Sequence, residues 1–336
     1  GIRGIINLPA LFIVTVISLL LMRGIKESAF FNNIIVIIKV SIVLLVIFLG
    51  WSFISEANHT PYIPEATTYI DHQGVSYNFG GILGILGAAG TVFFAFIGFD
   101  AVSTAAQETK NPAKAMPIGI IGSLLICTLL YVLFSHVLTG LVPVEFFRDP
   151  DKGGEASVVA AIQEAMPTYG WLSKSITIAI LAGFSSVILV LLMGQSRVFY
   201  SMSKDGLLPK AFSDLHPKFQ TPVKGNAIIL ILVALFAAFV PGDVVGHMTS
   251  IGTLFAFMLV CGAVIILRKR EPDLERKFKT PLVPFIPILG ILTCGAMIFG
   301  LGKENWIRLF IWLILGFIVY FGYSIRHSKL NKKRGA

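Results

Sequence analysis

The stretch Val92–Pro112, VFFAFIGFDAVSTAAQETKNP, decides how this chain is read. It follows a glycine-rich apolar run, Phe79–Gly90, and interrupts its own hydrophobicity with Ile97-Gly98-Phe99-Asp100. A continuous membrane helix favours neither a central glycine nor a carboxylate. An Asp at the centre of a span costs roughly 2.5–3.5 kcal/mol on insertion scales, and such groups face a bundle interior or a wet cavity. Glycine also tolerates unwinding, which exposes backbone N–H and C=O groups. In lipid those groups persist only when buried in protein or turned towards a ligand. Secondary transporters build midplane substrate sites from broken helices of this kind. The plainer alternative is a glycine-kinked packing helix whose Asp occupies a water pocket.

Working outward, the composition fixes the broad class. Of the 336 residues 55% are hydrophobic and only 13% charged, with a mean hydropathy of +0.83. Soluble domains carry about 25% charged residues. Nine apolar runs approach the ~20 residues needed to cross a ~30 Å hydrocarbon core. They are Leu8–Met22, Ile34–Phe53, Gly81–Gln107, Pro117–Val142, Ser173–Tyr200, Asn226–Val240, Val245–Leu267, Pro284–Leu301 and Trp306–Ser324. None alternates with period two, so all are expected to be helices of an all-α membrane protein.

The net charge of +9 follows the membrane and gives no nucleic-acid signal. With alternate loops assigned to opposite sides, 20 of the 27 Lys and Arg residues fall on one side and 6 on the other, Lys39 remaining inside a span. The positive-inside rule places the richer side, including the basic tail 325–336, in the cytoplasm. That tail is expected to meet the bilayer surface. The outer loops, Ile54–Phe79 and Pro143–Leu172, are too short for separate domains. The second has a helix-like amphipathic pattern over Val158–Met166, read as a short surface helix. One integral membrane domain over residues 1–336 is therefore expected.

Cys127, Cys261 and Cys294 all lie in apolar runs without metal-ligand spacing, and the six histidines are scattered. No nucleophile elbow, P-loop or dinucleotide fingerprint occurs. An enzyme, a metal site and a cofactor are not expected. The chain opens GIRGIINLPA, without Met or a signal-peptide pattern, and begins outside by the charge argument, which reads as a fragment preceded by further spans.

The segment Phe93–Ile120, FFAFIGFDAVSTAAQETKNPAKAMPIGI, resembles the sixth-helix motif of the amino acid–polyamine–organocation superfamily, closest to the cationic amino acid transporter branch and its bacterial relatives. Gly194–Phe212, GQSRVFYSMSKDGLLPKAF, resembles the end of the eighth helix and the cytoplasmic loop after it. Asn32–Gly50, NNIIVIIKVSIVLLVIFLG, is similar to the fifth helix of proton-coupled members. In family order the nine runs would be helices four to twelve of twelve. The resemblance implies a fold of two five-helix inverted repeats with the sixth helix broken at the substrate. It implies an amino acid permease of the plasma membrane, working by alternating access as a proton symporter, with an amino acid, a proton and the bilayer as partners. The first three family helices, which hold the other half of such a site, have no counterpart here. The alternative is a truncated, non-transporting remnant.

Several residues carry the expected site. Phe94, Ala95 and Ile97 match positions whose carbonyls meet the substrate ammonium, and an ammonium needs acceptors on several sides. Gly98 permits the unwinding, and Phe94 also matches an aromatic gate; its alternative is core packing. Phe184 and Ile188, at helical spacing, could shape the side-chain pocket. Asp100 matches an acidic position linked to protonation or gating in relatives, or it caps the second half-helix. Lys39 lies about seven residues, or ~10 Å, into its span. It either snorkels to the headgroups or, as the resemblance implies, places its ammonium where sodium-coupled relatives hold an ion. Ser185 and Ser186, the polar pair in Ile176–Met193, are candidate acceptors facing it, or small packing residues. Pro112 is expected to end the sixth family helix, with Glu108 and Arg197 near that end.

Overall fold

The computed structural model describes residues 6–24, 29–70, 76–99, 101–104, 109–148, 157–276, 278–329 and 331. Five helical stretches are long and apolar enough to cross a membrane: Asn32–Phe53, Pro112–Leu141, Pro167–Lys204, Val244–Arg270 and Lys303–His327. Shorter apolar helices cover Leu8–Met22, Gly81–Phe96, Val223–Phe239 and Phe285–Gly300. The chain is an all-α membrane protein. Its outward faces are apolar: Phe12, Phe48 and Ile82 are 69%, 76% and 78% exposed. Within Pro112–Leu141 the most apolar 18 residues include none that is buried. Such a surface is stable only against lipid or further protein.

The first helix, α1, runs Leu8–Met22; the Asn7 side chain accepts the Ala10 N–H at 3.1 Å, satisfying one of the unpaired amides at its start. Next, α2 runs Ala29–Gly50 and continues as a 3₁₀ turn over Trp51–Phe53. A two-stranded antiparallel hairpin follows, β1 Thr67–Ile70 and β2 Ser76–Phe79, with Thr67 opposite Phe79. The remaining helices are α3 Gly81–Val92, α4 Ala101–Thr104, α5 Pro112–Leu141, α6 Val144–Arg148, α7 Ser157–Ala165 and α8 Gly170–Lys204. After them come α9 Val223–Phe239, α10 Gly242–Arg270, α11 Phe285–Gly300 and α12 Lys303–Val319. A π-helical turn, Tyr320–Ser324, leads to α13, Ile325–His327.

One sequence expectation needs correcting. The helix expected from Pro117 begins at Pro112, so Pro112 opens α5 and does not close the preceding helix. At the first helical position a proline loses no intrahelical bond, whereas Pro117 loses one without breaking α5. The expected short amphipathic helix is α7: Gln163 and Glu164 are exposed, while Ala161 and Ile162 are fully buried against a cluster that includes Val46, Val137 and Leu172.

That cluster joins α2, α5, α7 and α8. A second, Ile251, Leu254, Ile298, Leu301 and Leu309, joins α10, α11 and α12, with Phe93 packed on it. A third, Ile17, Leu192 and Ile229, joins α1, α8 and α9. The long α8 therefore enters two of the three clusters and acts as the spine of the bundle. The backbones of α3 and α11 approach closely. A Cβ on Gly300 would fall 2.7 Å from the Leu86 carbonyl carbon, and one on Gly87 would fall 3.0 Å from the Gly300 oxygen. Only glycine at both positions lets the two backbones meet.

Candidate functional site

Four residues, 97–100, separate the helical turn that ends at Phe96 from the helix that begins at Ala101. The α-helix stops at Val92 and tightens into a 3₁₀ turn, Phe93–Phe96, closed by the Ile97 N–H donating to the Phe94 carbonyl at 3.2 Å. Ile97 is extended (φ −62°, ψ 131°), and Gly98 has φ +126°, a conformation that L side chains rarely adopt. Helix resumes at Ala101. Among the described residues, a Cβ built on Gly98 would meet nothing within 4 Å.

Aromatic side chains brace the break from two neighbouring helices. Phe257 of α10 touches Phe93 before the break at 5.8 Å and Phe99 within it at 5.3 Å between centroids. Tyr131 of α5 meets Phe96 edge-on at 5.0 Å, and its hydroxyl donates to the Ala95 carbonyl at 2.8 Å. Of the three carbonyls expected to face a ligand, that of Phe94 takes the Ile97 amide and that of Ala95 takes Tyr131. No partner for the Ile97 carbonyl is found among the described residues. The Phe94 side chain is 51% exposed. Asp100 and Glu108 lie outside the described residues.

The second assembly joins α2 to α8. The half-buried Lys39 side chain lies over Gly183: a Cβ there would be 3.0 Å from Lys39 Cε and 3.2 Å from its Nζ. The missing side chain makes room for the ammonium against the α8 backbone. Three residues on, and so on the same helix face, the buried Ser186 hydroxyl donates to Asn32 Oδ1 at 2.9 Å. Asn32 and Lys39 are seven residues apart, two turns along one face of α2. Among the described residues no carboxylate pairs with Lys39.

The other expected residues are placed elsewhere. Ser185 returns its hydroxyl to the Leu181 carbonyl at 2.9 Å within α8. Phe184 is 64% exposed. Ile188 packs with the Ile17, Leu192 and Ile229 cluster, towards α1 and α9. The second half of the broken helix, α4, packs beside α8. Sequence reasoning missed Tyr131, Phe257, Asn32 and Gly183. Tyr131 alone gave a signal: it is the one tyrosine in α5, and a phenol in an apolar helix needs a partner.

A family profile described as amino acid permease matches residues 4–321. The chain is 45% identical over 332 residues to the branched-chain amino acid permease BcaP of Bacillus subtilis (strain 168), covering 99% of this chain and 67% of that protein. It is 38% identical over 329 residues to the methylthioribose transporter of the same organism, covering 98% and 67% respectively. Against cationic amino acid transporter 4, vacuolar, of Arabidopsis thaliana it is 34% identical over 276 residues, covering 81% of this chain and 43% of the other.

Proposed function

The chain belongs to the amino acid permease family, and on that premise we propose that it carries neutral amino acids across the plasma membrane by alternating access, coupled to protons through Lys39. Its family and relatives are transporters and not enzymes, and it is a multi-pass membrane protein. The observation that carries the reading is the break at Ile97–Phe99, where no described residue comes within 4 Å of a Cβ at Gly98. Carbonyls at such a break, released from helical pairing, can surround an ammonium without a full counter-charge. Phe94 supplies an exposed aromatic surface to cover the ligand.

The preference for neutral substrates has two supports. Among the described residues of the break, 93–99, no side chain is negatively charged to match a Lys or Arg substrate. The relative sharing 45% identity is named for branched-chain amino acids. Proton coupling is supported by the ammonium of Lys39 held on Gly183 between two helices. Losing that proton would remove the only charge there among the described residues and let α2 and α8 shift. Asp100 is a second proton-coupling candidate. The excess of Lys and Arg in alternate loops supports a cytoplasmic C-terminus.

Proteoliposomes containing the chain and loaded with unlabelled leucine test this reading by counterflow of labelled leucine. Uptake should be competed by valine and alanine, and not by arginine or methylthioribose. Strong competition by arginine alone would overturn the neutral preference. Competition by methylthioribose alone would move the substrate class to that of the second relative. No counterflow at all would support the remnant reading.

A further inference from the structure

A cavity of about 480 Å3 opens between α9, α10 and α12, and none of its lining residues belongs to the break or to the Lys39 assembly. Its wall is apolar, built from residues such as Phe236, Ile251, Phe255, Leu259 and Leu309. Thr249 and Thr253 also line it, but their hydroxyls are bonded back to the Val245 and Thr249 carbonyls at 2.8 Å each, so they ask little of a ligand. Phe236, Leu259 and Trp312 are more than 40% exposed, which leaves the cavity open on the lipid-facing side of the bundle.

One charge lies in this wall. Arg308 is five residues from the start of α12, about 7.5 Å along the axis at 1.5 Å per residue. Its Nη1 donates to Asn305 Oδ1 at 2.9 Å, and the buried Asn305 is itself fixed by donating to the Leu301 carbonyl at 2.7 Å. Glu304 forms an exposed i,i+4 ion pair with Arg308, 3.7 Å from Nη2 with its own side chain 55% exposed, and such pairs contribute little to stability. Arg308 is thus a pre-oriented cation in the wall of a mostly apolar recess. Ionisable groups within membrane spans are expensive and are by default functional-site candidates.

We propose that this cavity holds an acyl chain of a phospholipid whose anionic headgroup pairs with Arg308. A planar guanidinium with unused N–H donors matches a phosphate oxygen pair. The volume falls in the range of small-molecule sites. An amino acid is a poor occupant, because the described lining residues include no carboxylate to meet an ammonium. A second copy of the chain would have to insert a side chain of its own into the recess.

Native mass spectrometry of the chain from nanodiscs of phosphatidylglycerol or of phosphatidylcholine, with matched acyl chains, tests this. Wild type should retain phosphatidylglycerol with about tenfold preference, one charge-assisted contact's worth. Arg308→Gln should reduce the preference to within about twofold, and Arg308→Lys should keep most of it. Gly252 lines the cavity and a Cβ there meets nothing within 4 Å, so Gly252→Leu fills the recess without a clash. That variant should lose retained lipid of both kinds while melting no earlier in detergent. Equal retention of the two lipids by wild type, unchanged preference in Arg308→Gln, or full lipid retention in Gly252→Leu would each overturn the proposal. So would a wild-type dimer that Gly252→Leu abolishes, because it would assign the recess to a second copy.

Discussion

The Tyr131 hydroxyl donates to the Ala95 carbonyl at 2.8 Å, across 36 residues of sequence, and so ties α5 to the last turn before the break. A carbonyl oxygen has two lone pairs, so this bond orients the acceptor and leaves it able to receive a second donor. Tyr131→Phe keeps the ring against Phe96 and removes only the hydroxyl. Stability should fall by about 0.5–1.5 kcal/mol, the net value of one hydrogen bond. Leucine affinity should fall about tenfold or less, as the carbonyl loses its orientation. Paired apo and leucine-bound melting curves check both. Tighter leucine binding in Tyr131→Phe would mean that the tyrosine competes for the carbonyl.

Gly300 isolates the fold from the site. A Cβ there falls 2.7 Å from the Leu86 carbonyl carbon, and that backbone cannot swing aside as a flexible side chain would. Gly300→Val should force α3 and α11 apart and destabilise the bundle by about 1–3 kcal/mol or more. The melting temperature should drop while the leucine-induced increment on surviving protein stays near wild type. A selective loss of the increment would link this crossing to the ligand.

Lys39 and Gly183 make a paired test of coupling. Lys39→Ala should abolish stimulation of uptake by an inward proton gradient while insertion persists, because a half-buried charge has been removed from the span. Gly183→Ala keeps the lysine but puts a methyl 3.0–3.2 Å from its terminal atoms, so the flexible tail must move off α8. Helix propensity favours this alanine by roughly 0.8–1.0 kcal/mol, and the protein should fold. Its proton stimulation should nonetheless weaken. Normal stimulation in Lys39→Ala would reduce the lysine to an anchor.

Much of the architecture was legible because crossing lipid demands long apolar runs, and each of the nine runs carries a helix. The break was legible for a local reason: glycine and Asp interrupt a span that favours neither. The contacts that hold it were not. Nothing in the spacing of Tyr131 or Phe257 points to residues 93–99, since those pairings exist only once α5 and α10 are packed. The face of α8 was half legible. The Ser185-Ser186 pair was found, yet only helix rotation decides that Ser186 reaches Asn32 and Ser185 turns to its own backbone. Ile188 illustrates the same limit, because its periodicity fits a pocket wall and the α1–α9 cluster equally well. The start of α5 was misplaced because proline reads as a terminator and as a first helical residue with equal ease.

The central claim is that the break at Gly98 binds the substrate. Gly98→Leu tests it through backbone conformation, since φ +126° strains any L side chain while no described residue comes within 4 Å of its Cβ. Expression and membrane insertion should persist, because the apolar spans are unchanged. The measurement is the leucine-induced rise in melting temperature of Gly98→Leu beside wild type, with both apo melting temperatures recorded. The account predicts a modest apo change and loss of the leucine increment. A variant that melts early yet keeps the full wild-type increment would contradict it, and would make Gly98 a packing kink.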